Sequence, residues 1–298
     1  MEMEKSIGIL QESIQVRSVN LGREVQVDFY LPQGGSSLFP AMSEISLLLI
    51  NDGQELGKMG FAGILDELYN DGKLSPLLCA GIHAGPERMM EYGTAGVPDF
   101  LGRGGQAAAY SQFVLEELIP AIRIKYNAPS FKEKAFAGFS LGALSAMDIV
   151  WHHAEEFSRA GLFSGSFWWR NKDKSDPAYN ENTDRIMQKL VREGGYYPWL
   201  EFFFECGTED ELEDRNHNGI IDSIDDTVAL IRELVIKGYA WEEVNGGSPV
   251  GIVESPSGGM QPDDKPSIRY LEIEGGKHDP GTWARAMPEF LEWGWGKK

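Results

Sequence analysis

Two stretches near the start of the chain, SIQVRSV and REVQVDFYLP, alternate apolar and polar residues and are separated only by NLG. Alternation of period two turns one face of a strand inward, and so short a polar break predicts an antiparallel hairpin at a sheet edge. The pattern then changes. ISLLLIND, PLLCAGIHAG, KAFAGFS, RAGLFSGSFWW, LEFFFECG and SIRYLEIEGG are nearly continuous apolar runs, as expected of strands covered on both faces. Between them lie stretches of helical period: Met59 to Tyr69, QAAAYSQFVLEELIPAIRIKY, the run after KAFAGFS, TDRIMQKLVREG, DTVALIRELVIKGY and TWARAMPEFLEWGW. The alternation predicts an α/β fold, a mostly parallel central sheet with an N-terminal antiparallel hairpin and helices on both faces. A single domain over residues 1–298 is expected, without internal repeats. Asn245 to Ser267, rich in Gly, Pro and Ser, reads as a long surface loop.

Composition narrows the partners. The formal net charge is −19 and Lys/Arg-dense patches are lacking, which argues against nucleic acid and against an anionic membrane. No apolar run approaches the roughly 18 residues of a transmembrane helix. The start, MEMEKSIGILQESIQV, lacks the basic and apolar regions of a signal peptide, so the expectation is a cytoplasmic protein, or a periplasmic or secreted one if a leader was removed. Cys79 and Cys206 both lie in strand-like runs and read as buried thiols, too few for a disulfide framework. The expected partner is therefore a small molecule; the oligomeric state is not legible.

In an open parallel sheet, ligands bind beyond the carboxyl ends of the strands, so chemistry is sought there. AGFSLGALSA puts Ser140 between two glycines where a strand run turns into a helix run. Tight turns favour small residues in any case, but a nucleophile elbow needs this arrangement, with the serine forced outward. Glu209 and Asp210 follow the run LEFFFECG, and His278 follows SIRYLEIEGG. The chain order of serine, acid and histidine fits a nucleophile, an orienting carboxylate and a general base. His152 and His153 stand about 18 Å along the helix from Ser140 at the helical rise, which leaves His83, another strand-end histidine, as the rival base. Physics alone barely separates Glu209 from Asp210. An oxyanion hole needs two backbone N–H groups; Leu141 is expected to supply one, and Gln54 in NDGQELG the other.

NDGQ, ERMMEY, AGFSLGALSA, LFSGSFWW, ECGTED and GGKHDPGTWAR occur in order between Val25 and Trp295. On these pieces the chain resembles the enterochelin (ferric enterobactin) esterase branch of the esterase D-like family of α/β-hydrolases. The resemblance implies the α/β-hydrolase fold and a serine esterase working through an acyl-enzyme on a small-molecule ester. It implies a triad of Ser140, Asp210 and His278, with Gln54 and Leu141 as oxyanion donors. It further implies Arg88 and Glu91 at the pocket rim, and Trp168 and Trp169 near the acyl or leaving-group side. The segments Arg215–Asp225 and Asn245–Ser267 are insertions relative to the compact family core.

The first insertion carries its own pattern. DRNHNGIIDSID sets Asp214, Asn216, Asn218, Ile220, Asp222 and Asp225 at the ligand positions of a D-x-[DN]-x-[DN]-G calcium loop, over residues 214–225. Gly219 falls where that loop turns sharply. The last ligand is Asp rather than the usual Glu, as in dockerin-type loops, and the helix that usually precedes such a loop is absent from the pattern. One structural Ca2+ and no organic cofactor are expected. Two other readings of the chain are a non-catalytic, calcium-stabilised binding protein on the same fold, and an acyltransferase or peptidase using the same triad.

Overall fold

The computed structural model describes residues 7–33, 44–243 and 267–297. Of the loop expected from Asn245 to Ser267, all but Ser267 lies outside the described residues. Strands β1 (Ile9–Ser18) and β2 (Arg23–Pro32) form the expected hairpin, in register from Ile9 opposite Pro32 to Ser18 opposite Arg23. Strand β2 joins β4 (Leu77–Ile82) antiparallel. From β4 onward the sheet is parallel, through β3 (Ser46–Asn51), β5 (Lys134–Phe139), β6 (Arg159–Phe163), β7 (Glu201–Gly207), β9 (Ile268–Ile273) and β8 (Trp241–Glu243). The order across the sheet is β1-β2-β4-β3-β5-β6-β7-β9-β8. The three-residue β8 was not expected, because so short a run has no periodicity to read.

The parallel strands are apolar throughout because both faces are covered, and successive side chains point opposite ways. Leu47, Leu49, Phe202 and Phe204 enter one core. Leu48, Ile50 and Phe203, their neighbours in sequence, enter the other. The second core is closed by α1 (Phe61–Asn70) and α9 (Pro280–Trp295), through Phe61, Leu65, Met287 and Phe290. The first is closed by α5 (Leu141–His152), α7 (Ile186–Glu193) and α8 (Asp222–Lys237), together with the helix over residues 107–125. That helix runs as α3 (Ala107–Gln112), a π-wound middle (Phe113–Leu118) and α4 (Ile119–Lys125), which corresponds to the amphipathic run read from the sequence. Two one-turn helices, α2 (Arg88–Glu91) and α6 (Glu181–Asp184), lie in the connections. Every residue from Leu141 to Trp151 is buried, so α5 is packed on all sides. No helix among the described residues is long and apolar enough to cross a membrane. Parallel strands all end on one side, and there the loops after β3, β5, β6, β7 and β9 gather.

Candidate active site

Ser140 sits between β5 and α5 with φ 57° and ψ −122°. A side-chain-bearing residue in this region is strained by about 1–3 kcal/mol and persists only where its surroundings enforce it. They do so here. A β-carbon at Gly138 would lie 2.4 Å from the Gly142 carbonyl oxygen, and one at Gly142 would lie 2.5 Å from Asp52 Oδ2. Strand and helix therefore cross closely enough to require Gly138, and the loop after β3 presses on α5 closely enough to require Gly142. The Ser140 N–H donates to the Phe163 carbonyl (2.9 Å), and its hydroxyl lies 3.5 Å from Ser166 Oγ. Leu141 begins α5, where the first N–H groups of a helix lack intrahelical acceptors.

The other two triad candidates stand on adjoining loops tied to each other. Thr208 N–H donates to Ile273 O, Glu209 N–H to Gly276 O, and Gly275 N–H to Thr208 Oγ1. A β-carbon at Gly207 would strike the Gly276 carbonyl at 2.4 Å, which explains the glycine at 207; one at Gly276 would lie 2.7 Å from the Ile273 carbonyl oxygen and from the Thr282 methyl. Glu209 is exposed, whereas the Asp210 side chain is 1% exposed and turned inward. Asp210 Oδ2 lies 3.9 Å from His278 Nδ1. Asp210 Oδ1 accepts from Ser164 Oγ at 3.1 Å. Ser140, Asp210, His278 and Trp168 line one cavity of about 320 Å³, together with Ser164, Ser166, Glu211 and Ser223.

His83 faces elsewhere: its Nε2 is 2.6 Å from Asp28 Oδ2, on the hairpin side of the sheet. Of the remaining candidates, Gln54 and Arg88 converge on Asp52. Arg88 holds Asp52 through two hydrogen bonds of 2.7 Å, and the Gln54 amide donates to Asp52 Oδ1 while accepting from Ala84 N–H. Two expected pocket residues are interior instead. Glu91 is 1% exposed and forms a two-bond ion pair with Arg23, since a buried carboxylate needs its charge met. Trp169 is fully buried against Gly93 and Gly104, where a β-carbon at either would stand 3.0 Å from the indole. Sequence reading gave no role to Ser164, Glu205 or Trp283, which surround Asp210. The legible signal was Glu205 itself, a charged residue inside the apolar run of β7.

The Asp214–Asp225 loop gathers part of its expected ligand set. Asp214 accepts from the N–H groups of Asn218 and Gly219, and Asp225 Oδ2 is bonded by the amides of Asn216 and Asn218. Gly219 turns at φ 85°. Asp222 faces Arg215, accepting from its N–H and pairing with its guanidinium. Among the described residues, no three His, Cys, Asp or Glu side chains come together as a metal site.

Residues 18–245 match the family described as "Putative esterase". No curated protein sequence matches the chain. Among solved structures, the enterobactin esterase FES from Shigella flexneri, in the presence of enterobactin, superposes with a TM-score of 0.65 at 19% identity, covering 95% of this chain and 58% of that one. The chain thus spans about three fifths of the length of that esterase. The siderophore hydrolase EstB from Aspergillus nidulans gives 0.64 at 16% identity, covering 95% and 94%. The IroE-like serine hydrolase from Shewanella oneidensis gives 0.62 at 16%, covering 95% and 80%. At these identities the likeness shows a shared α/β-hydrolase fold. The family match, which runs over most of the chain, makes it a member of the "Putative esterase" family.

Proposed function

We propose that the chain hydrolyses a small-molecule carboxylic ester through a Ser140–His278–Asp210 triad and an acyl-enzyme. His278 takes the Ser140 proton as Oγ attacks the ester carbonyl carbon, and Asp210 holds the imidazole and balances its charge. The developing oxyanion meets the Leu141 N–H and a backbone N–H of the Gly53–Gln54 turn. Collapse of the tetrahedral species expels the alcohol, which receives the proton from His278. Water, deprotonated by the same histidine, then releases the acid. The observation that carries the reading is the lining of one cavity by Ser140, Asp210 and His278, with the serine in the strained elbow. The proposed substrate class is the siderophore-type ester for which the similar structures are named, with Trp168 against its ring or chain. Incubation with a fluorophosphonate, p-nitrophenyl acetate and enterobactin tests it. Labelling of Ser140 with turnover of either ester supports the reading. An unlabelled Ser140 would favour a binding protein, and aminolysis outpacing hydrolysis would favour an acyltransferase or peptidase.

We also propose that the Asp214–Asp225 loop takes one structural calcium ion, with Asp214, Asn216, Asn218, the Ile220 carbonyl, Asp222 and Asp225 supplying oxygens. The support is the sequence pattern, the glycine turn at Gly219 and the convergence of four of these side chains. Asp222 would have to leave Arg215 or act through water, as the ninth position of such loops often does.

A further inference from the structure

Behind Asp210 lies a second carboxylate that the triad does not use. Glu205 is in the middle of the sheet on β7, flanked in register by Phe163 and Leu271, and is fully buried. Its Oε2 lies 3.5 Å from Ser164 Oγ, and its Oε1 has no hydrogen-bond partner among the described residues. The same hydroxyl is 3.1 Å from Asp210 Oδ1 and accepts from Trp283 Nε1 at 3.0 Å. Ser164 is held at φ 46°, a conformation that a serine keeps only where its contacts fix it.

The proton count decides what this cluster can be. A serine hydroxyl has one proton and two lone pairs. It cannot donate to both carboxylates, so with that proton given to Asp210 an ionised Glu205 would keep its buried charge without the Ser164 hydroxyl to meet it and with Oε1 unpartnered. If Glu205 carries a proton, the Ser164 hydroxyl is saturated. Trp283 and Glu205 donate to the two lone pairs, and the single Ser164 proton goes to Asp210.

We infer that Glu205 is a positioning residue for the reaction: as a neutral acid it donates to Ser164 Oγ, which donates to Asp210 Oδ1 and aims the free Oδ2 at His278. One negative charge then remains in the cluster, on the group that must steady the imidazolium. Burial, and after it the charge of Asp210, push the Glu205 carboxyl well above its ordinary range. The ionisable groups around it are Asp210 on the loop after β7, Tyr270 and Glu272 on β9, its neighbour Cys206, and Arg285 on α9. Arg285 favours the charged form, and burial outweighs it.

The inference rests on the triad reading, and the test separates the two. In Glu205→Gln the amide can donate as the acid does but cannot ionise. At pH 7 the variant should keep kcat/KM within about fivefold, the effect of one altered neutral hydrogen bond. Its pH profile should lose the alkaline decline that ionisation of Glu205 imposes on the wild type. Ser164→Ala breaks the relay without touching a charge and should lower kcat about tenfold or more, as loss of a hydrogen bond to a charged acceptor does. Infrared spectra of wild type should show a protonated-carboxyl band at pH 7 that Glu205→Gln lacks, a readout independent of turnover. Absence of that band, or a Glu205→Gln variant as damaged as Asp210→Asn, overturns the inference. A band that is present while Ser140 escapes fluorophosphonate overturns the triad reading and the positioning role with it, and leaves the neutral acid standing.

Discussion

A carboxylate oxygen of Asp52 occupies the space that a side chain at Gly142 would need: a β-carbon there would stand 2.5 Å from Asp52 Oδ2. The first turn of α5 therefore rests on the loop after β3, and the two oxyanion candidates, Leu141 and the Gly53–Gln54 turn, are set by one contact. Gly142→Ala should destabilise by about 1–3 kcal/mol, as overpacking does. It should also lower kcat more than it raises KM, because the displaced loop misplaces an oxyanion donor. Melting temperature and steady-state kinetics on p-nitrophenyl acetate check both.

Arg88 is the other hold on that loop, pairing through two bonds with an Asp52 side chain only 4% exposed. Arg88→Ala leaves this carboxylate buried and unpaired. The expected loss is about 2–3 kcal/mol, somewhat under the value for a fully buried pair because Arg88 is partly solvated. Arg88→Lys should recover little, since an ammonium cannot replace the planar fork. Denaturant unfolding of the three proteins measures the difference.

For the triad, Ser140→Ala and His278→Ala should each lower turnover by on the order of 10⁴-fold or more, with the fold retained. Asp210→Asn should cost less than either. Glu209→Gln should be nearly silent, given its exposed side chain. His83→Ala should leave kcat almost unchanged, because that ring is committed to Asp28. Single-turnover assays and circular dichroism on the five variants decide the assignment.

A second titration is separable from catalysis. The side-chain hydrogen bond to buried Asp148 raises His152 above its ordinary value of 6.5. A histidine whose folded value is raised adds stability that is complete below the unfolded value and is lost as pH rises through the folded one. The melting temperature should therefore decline just above pH 6.5, and His152→Gln should flatten that slope without altering the pH profile of kcat. Thermal melts in half-unit steps of pH read it directly.

Calcium, bound as proposed, stabilises the folded chain in proportion to saturation, by about 2.7 kcal/mol at a hundred times its Kd. Chelation should lower the melting temperature, calcium should restore it better than magnesium does, and Asp214→Ala should abolish the response. Turnover should change little. The acid loop is fastened by Thr208 and Glu209 to the loop after β9, and Asp210 by Ser164, all outside the Asp214–Asp225 segment. Scanning fluorimetry with chelator and each ion checks the first part, and kcat under the same conditions the second.

What the sequence determined by itself was whatever depends on local pattern. Alternation in SIQVRSV and REVQVDFYLP specified the hairpin, and unbroken apolar runs specified strands covered on two faces. AGFSLG specified the elbow, because the close pass of Gly138 against Gly142 is made within a few residues of the serine. Asp210 and Glu209 are neighbours of like charge, and nothing local distinguishes them; Asp210 turns inward where Gly207 lets two loops close on each other from strands far apart in sequence. Glu91 and Trp169 belong to motif stretches that promise a pocket, yet their side chains leave the backbone toward the interior, where Arg23 and two glycines receive them. Ser164, Glu205 and Trp283 come from three separate elements and meet only when β6, β7 and α9 pack. Local propensity reaches a few residues along the chain, and a polar cluster is made by contacts across it, so the sharp turn at Ser140 could be read in advance while the cluster around Asp210 was decided by the tertiary structure.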